Sequence, residues 1–412
     1  MELKAIRLLI VVALALAIGS AQAQEKTGRF VQDRFAIGFW VDPPADQITD
    51  ARYKEIADAN FTFVLGPFGP KTIKDVSKQL DLCRKYGLMA IVTSNLTTME
   101  KLPNHPNCWG YHLVDEPGAA SIPDIKNRID AIRKNRPGKL AYFNLLPDYA
   151  PTWALGTSTY DEYVGRFAKE TGCDVLCMDY YPMMTPTADG RDGYCGNLAV
   201  MRKYSVECGI PFWNFFNTMP FGPHYDPTEA QLRWQIYSSI AYGAKGVLYF
   251  CYWTPGKGAG NAGEFPKGGA IITAEGLRTR HYEQAKRINA GLKNLGPTLM
   301  KLTSADVMRV RPGDDPAKAL VDSPVKSISK GGDYLIGVFN HSDGRRAVLI
   351  NNYDCNYTTW PTVEFDAPDW TVIEVDAGDG KEKPARDDSP EMPGLQIGLD
   401  AGEGRLFLLP SD

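Results

Sequence analysis

Between residues 35 and 253, eight short apolar runs alternate with segments of helical periodicity, and no other feature of the chain constrains its fold as much. The runs cover residues 35–40, 61–66, 89–94, 110–114, 140–145, 174–180, 211–216 and 246–253. They are continuous apolar stretches, the pattern of parallel strands buried on both faces. Eight such strands close into a parallel barrel with its helices outside. The intervening segments carry helix signals of their own. Ile73, Val76, Leu80 and Cys83 fall on one face, and Gly87 supplies a stop. Ser121-Ile-Pro-Asp124 reads as a capping box ahead of Ile125, Ile129 and Ile132. Asp226-Pro-Thr-Glu229 reads as a second box, with proline at the first helical position and Leu232, Ile236 and Ile240 on the buried face. An open doubly wound sheet would place a Gly-rich phosphate turn after its first strand, and Phe39-Trp-Val-Asp-Pro-Pro44 is no such turn. The expected fold class is therefore α/β, a (β/α)8 TIM barrel over residues 24–301.

Beyond residue 302 the pattern changes. Short strand-like runs at 307–310, 334–339, 347–351, 363–365, 371–375 and 405–409 are separated by Asp, Gly and Pro turns. They suggest a small C-terminal β-sandwich over 302–412, packed on the barrel as an accessory. The other end reads as a secretion signal over residues 1–23: Lys4 and Arg7, an apolar stretch over 8–18, and the small-x-small site Ala21-Gln-Ala23. That stretch is shorter than the roughly 20 residues that span a bilayer. The mature chain is expected to be secreted or periplasmic, without membrane insertion. Its eight cysteines would then be free to pair, in a connectivity that spacing does not define.

In a barrel of this kind the working residues sit where strands give way to loops. The first run ends on Trp40 and Asp42, the fourth on Asp115 and Glu116, and the fifth near Asn144. The sixth ends on Asp179, Tyr180 and Tyr181, the seventh on Asn217, and the eighth on Tyr252 and Trp253. An apolar strand has no packing reason to finish on two acids, whereas a carboxyl at a strand tip can be tuned as a general acid. Carboxyls for protons, amides and hydroxyls for ring hydroxyls, and flat rings for stacking together describe a carbohydrate cleft. Each residue also has a plainer reading. Asp115 and Glu116 would favour the positive end of the following helix, and loop asparagines satisfy backbone groups. Trp40 and Trp253 would serve equally as core, and His112, inside its strand, reads as a satisfied core histidine.

Three segments carry a resemblance: Gly110-Tyr-His-Leu-Val-Asp-Glu-Pro117, Asp174-Val-Leu-Cys-Met-Asp-Tyr-Tyr-Pro182 and Gly243-Ala-Lys-Gly-Val-Leu-Tyr-Phe-Cys-Tyr-Trp253. With the helix running from His281 to Pro297, they resemble the clan A glycoside hydrolases, whose barrels place an acid/base Glu at the end of strand four. The resemblance implies Glu116 as acid/base, Tyr180 or Tyr181 as a cleft hydroxyl and Trp253 as the platform beneath the cleaved sugar. Two departures stand out. Asp115 precedes the acid where the clan has Asn, and the seventh run ends on Asn217-Thr218 where the clan has a Glu nucleophile. Double displacement needs two carboxyls about 5–5.5 Å apart. Three repairs present themselves, in this order. Asp115 polarises a substrate 2-acetamido group that attacks the anomeric carbon; Asp179 activates water in an inverting reaction; or Glu229 or Glu264, on loops, is the nucleophile.

The function expected is hydrolysis of glycosidic bonds in a polysaccharide or oligosaccharide, with a carbohydrate-binding barrel that has lost catalysis as the alternative. Net charge is −4 with no basic stripe, so nucleic acid is a poor partner. Five scattered His and Cys spacings that match no zinc pattern point to no catalytic metal and no cofactor. No Gly-x-Ser-x-Gly elbow supports an esterase.

Overall fold

A computed structural model describes residues 28–184, 189–256, 265, 269–391 and 393–411. The signal-like segment 1–23 and Glu264 lie outside the described residues. Each of the eight apolar runs forms a strand: β1 (Ala36–Phe39), β2 (Phe63–Gly66), β3 (Met89–Thr93), β4 (Cys108–Asp115), β5 (Leu140–Asn144), β6 (Leu176–Asp179), β7 (Phe212–Asn217) and β8 (Gly246–Phe250). All pair in parallel, in the orders β1-β8-β7-β6 and β2-β3-β4-β5. A parallel bridge between Leu145 and Met178 joins β5 to β6, and the Thr62 amide donates to the Ile37 carbonyl at 2.9 Å on the opposite side. These two seams close the ring into a barrel.

Between the strands run α1 (Asp50–Asp58), α2 (Ile73–Lys85), α3 (Ile122–Asn135), the single turn α4 (Thr152–Leu155), α5 (Tyr160–Glu170), α6 (Arg191–Cys208), α7 (Glu229–Ala241) and, after β8, α8 (Arg280–Leu299). In α2 the stripe Val76, Leu80 and Cys83 is buried, and Gly87 takes φ +69° just past its end. Both expected capping boxes need correction. Ser121 has helical backbone angles and its hydroxyl donates to the Gly118 carbonyl, so it caps nothing. The box of α7 lies two residues later, between Thr228 and Gln231, because the Asp226 carboxylate is taken by Arg280 and His281.

The barrel is filled by aromatic rings. Trp109 stacks on Trp213 at 5.7 Å between centroids, and Phe63 leans on both at 5.5 and 5.4 Å. Glycines on neighbouring strands leave the room these rings occupy. A Cβ on Gly38 would fall 2.3 Å from the Phe63 ring. The lower mouth is closed by Phe30, whose amide donates to Asp174, itself bridged to Arg29 and Arg133.

From Leu302 onward the chain is antiparallel. A six-stranded sheet has the order β15-β14-β17-β12-β11-β9, and a three-stranded sheet the order β10-β13-β16. These comprise β9 (Leu302–Val310), β10 (Val325–Ile328), β11 (Tyr334–His341), β12 (Arg346–Asn352), β13 (Thr362–Phe365), β14 (Ile373–Val375), β15 (Glu382–Pro384), β16 (Leu395–Gln396) and β17 (Gly404–Leu409). Ile336, Val348, Ile350 and Phe407 face Val325, Val363 and Leu395 of the small sheet, giving the expected sandwich. The opposite face of the larger sheet, with Leu335, Leu349 and Leu406, packs on the barrel. Consequently α7 is buried almost all round, from Leu232 to Ala241, rather than along one stripe. The eight cysteines are all free, six of them buried. No described helix is long and apolar enough to cross a membrane.

The tightness of the barrel interior is testable. Phe63 is wedged between two indoles and cannot swing aside, so Gly38→Ala should cost about 1–3 kcal/mol of stability. A lowered denaturant midpoint with an unchanged slope is the expected result of equilibrium unfolding.

Candidate active site

The strand tips at the upper mouth surround a cleft of about 910 Å³. Its floor begins where β4 stops. Glu116, directly after β4, has φ +49°, a left-handed conformation that is costly for a residue with a Cβ. The Glu116 amide donates to the Asn144 carbonyl at 2.9 Å, which holds this kink against the end of β5. Val41, just past β1, is likewise at φ +56°. There the Tyr252 and Trp253 amides donate to the carbonyls of Trp40 and Val41 at 2.9 and 3.0 Å. This zipper carries the ladder beyond the regular strands and sets Trp40 and Trp253 into one wall. Both indoles are held firmly. Trp40 meets Phe68, Phe215 and His112 edge-on, and Trp253 lies beneath the Arg52 guanidinium.

Three carboxyl groups gather on the opposite wall. Asn144 donates from one nitrogen to Asp179 at 2.7 Å and to Asp115 at 3.4 Å. The two accepting oxygens are thus within about 6 Å of each other. Asp179 is 4% exposed, whereas Asp115 and Glu116 open onto the cleft with protein below and beside them. Burial and the Glu116 charge push Asp115 up to about 7, opposed by the Asn144 amide. Burial also raises Glu116 above the usual carboxylate range. Asp179 is raised furthest, by burial first and then by the Glu116 and Asp115 charges, with Asn144 and Tyr181 opposing. The physical cause is shared: water cannot fully solvate these groups, and each neighbour's charge disfavours ionisation.

Of the residues expected from strand ends, Trp40, Asp115, Glu116, Asn144, Asp179, Tyr181 and Trp253 line the cleft together. Three do not. Tyr180 turns behind the wall, where its ring supports Tyr149 at 5.1 Å and packs on Tyr194. Asn217 is fully buried, its oxygen accepting the Met183 amide at 3.0 Å, so it fastens one loop. Tyr252 stacks on Phe39 and reaches Glu55 on the helix side of the barrel. The reason is the same for all three: neighbouring residues at a strand end point to opposite faces. Glu229 stands at the start of α7, paired with Arg287 and Arg233, away from the cleft.

Asp42 touches the cleft but is 1% exposed, and its carboxylate accepts from the amides of Phe68 and Gly69 and from Gln79. It anchors the loop after β2, although burial still lifts it to about 7. His112 is core, as expected, but unsatisfied: neither ring nitrogen has a partner among the described residues. Burial lowers it to about 4, which keeps the ring neutral. Strand-end reasoning missed Tyr149, His224, Phe68, Phe215, Phe221 and Phe250, which complete the lining. Tyr149, in the turn after β5, was the most findable, since a tyrosine beside Asp148 and Pro147 suits an exposed rim. Among the described residues no group of three or more His, Cys, Asp or Glu is arranged to hold a metal ion.

No family model matches the sequence, and no curated protein matches it. In fold, the chain is similar to a GH42 β-galactosidase from G. stearothermophilus, with a TM-score of 0.61 and 9% identity over 93% of this chain and 100% of the other. It is also similar to a family 39 glycoside hydrolase from Bacteroides cellulosilyticus WH2, with a TM-score of 0.51 and 13% identity over 93% and 82% of the two chains. At these identities the likeness is one of fold: a TIM barrel with appended β-structure.

The crowded carboxyls have a thermodynamic signature. A raised pKa in the folded state means that the native protein binds more protons than the unfolded chain as pH climbs from about 4 to 7, so stability falls across that window. Asp115→Asn removes one such group. It should raise the melting midpoint at pH 8 and leave it unchanged at pH 4, as read by calorimetry at both values.

Proposed function

We propose that this protein is an exported glycoside hydrolase that cleaves glycosidic bonds in a polysaccharide or oligosaccharide, with Glu116 as the proton donor. One observation carries the reading. Glu116 sits on a strained turn at the open mouth of the barrel, its proton held by burial, facing a cleft walled by Trp40 and Trp253. A carboxyl kept protonated near neutral pH can deliver its proton to the bridging oxygen as the bond to the anomeric carbon breaks. Water then supplies the hydroxyl that replaces the leaving sugar. The indoles offer flat apolar faces to pyranose rings.

The cation that develops at the anomeric carbon needs a negative partner. Asp115 is that partner in our reading, seated on Asn144 with Asp179 behind it. Adjacent acids on β4, with the buried Asn217 ending β7, suit a reaction in which the substrate's own 2-acetamido group attacks, its N–H received by Asp115. N-acetylated amino sugars are therefore the substrates of choice. Export rests on the signal-like pattern of residues 1–23.

A panel of aryl glycosides and natural polysaccharides tests the assignment. Glu116→Gln should lower kcat by about 10²–10⁴ while leaving the circular dichroism spectrum unchanged. The loss should shrink on leaving groups that need no proton, such as dinitrophenolate. Near-normal turnover by the variant on the natural substrate sinks the role of Glu116. Tryptophan quenching by sugars without turnover by the wild type favours a binding barrel instead.

A further inference from the structure

Trp153 is 84% exposed, the most exposed large hydrophobic side chain among the described residues. It belongs to α4, the single turn in the segment between β5 and α5. Four residues earlier on the same segment, Tyr149 lines the cleft while 56% exposed. Water solvates neither ring well, and apolar surface left open beside a cleft marks a place where something binds.

The segment is rigid and its position is set by the acid's own loop. The Tyr163 hydroxyl accepts from the Leu146 amide at 3.2 Å and donates to the Pro117 carbonyl at 2.7 Å, tying the two loops together. A Cβ on Gly118 would lie 2.6 Å from the Ala154 carbonyl, so α4 rests directly on the residues that follow Glu116. Successive turns from Pro147 to Ala150, Pro151 to Ala154 and Thr152 to Gly156 fix the rest. From behind, Tyr180 supports the Tyr149 ring.

A proton donor must stand beside the bond it protonates, so the departing sugar lies on the Glu116 side of the cleft. Tyr149 and Trp153 occupy that side. We infer that Tyr149 and Trp153 form a leaving-group subsite on which the departing pyranose of an oligosaccharide stacks. The inference rests on the glycosidase reading and deepens it: the enzyme takes chains of at least two sugars and gains its specificity from the ring it releases. Tyr149 holds the near edge, and Trp153 extends the platform outward over the β4–β5 side.

The test compares an oligosaccharide with the glycosyl fluoride of the same sugar, because fluoride offers no ring to stack. With the sugar the wild type cleaves, Trp153→Ala should lower the ratio of kcat/KM for trisaccharide to that for fluoride at least tenfold, mainly through KM. Trp153→Phe should restore most of the ratio, since a smaller flat ring still stacks. A ratio within twofold of the wild type overturns the inference, as does a Phe variant no better than Ala. Failure of the glycosidase reading would look different: the wild type would cleave neither substrate.

Discussion

One side-chain amide organises the upper mouth of this barrel. The Asn144 nitrogen is donor to both Asp115 and Asp179, carboxyls that would otherwise repel each other across a poorly solvated gap. Its carbonyl meanwhile receives the Glu116 amide and so stabilises a left-handed turn that Glu116 would not adopt unaided. Three acids from two strands are thereby held at one address, in raised protonation states. Without that residue, β4 and β6 would present like charges with nothing between them. Stability is given up locally and recovered in the layers below.

Those layers are the aromatic filling of the barrel and the sheet outside it. Trp109, Trp213 and Phe63 interlock in space that glycines on adjacent strands leave open, which makes the lower two-thirds of the barrel unyielding. From outside, the six-stranded sheet closes over α7. A Cβ on Gly337 would meet the Ala241 carbonyl at 2.4 Å, so helix and sheet approach as closely as backbones can. The strained tips rest on a scaffold with little freedom to relax.

How far the residue pattern foretold this differs from element to element. The strands were legible because burial on both faces demands uninterrupted apolar runs, and the acids at 115, 116 and 179 stood out because such runs end on them. Which strand-end residue would face the cleft was not legible. Tyr180 and Tyr181 are neighbours with the same chemistry, and only the pleat puts Tyr181 in the cleft and Tyr180 behind it. Asn217 looked like a site residue because loop amides and ligand-binding amides read alike, yet it fastens Met183. The cap of α7 was misplaced because Asp226 had better partners, Arg280 and His281, more than fifty residues away in the chain.

Local physics, then, decided the elements: period, caps and apolar runs act over a few residues and are written in the amino-acid order itself. The barrel, the sandwich beyond residue 302 and the short list of acids follow from that. Tertiary structure alone decided the pairing of Asp115 with Asp179 through Asn144, the burial of α7 on every side, and the seating of α4 against the loop after Glu116. Each is a contact between segments distant along the chain, and its existence depends on closure of the barrel, which no short window of sequence contains.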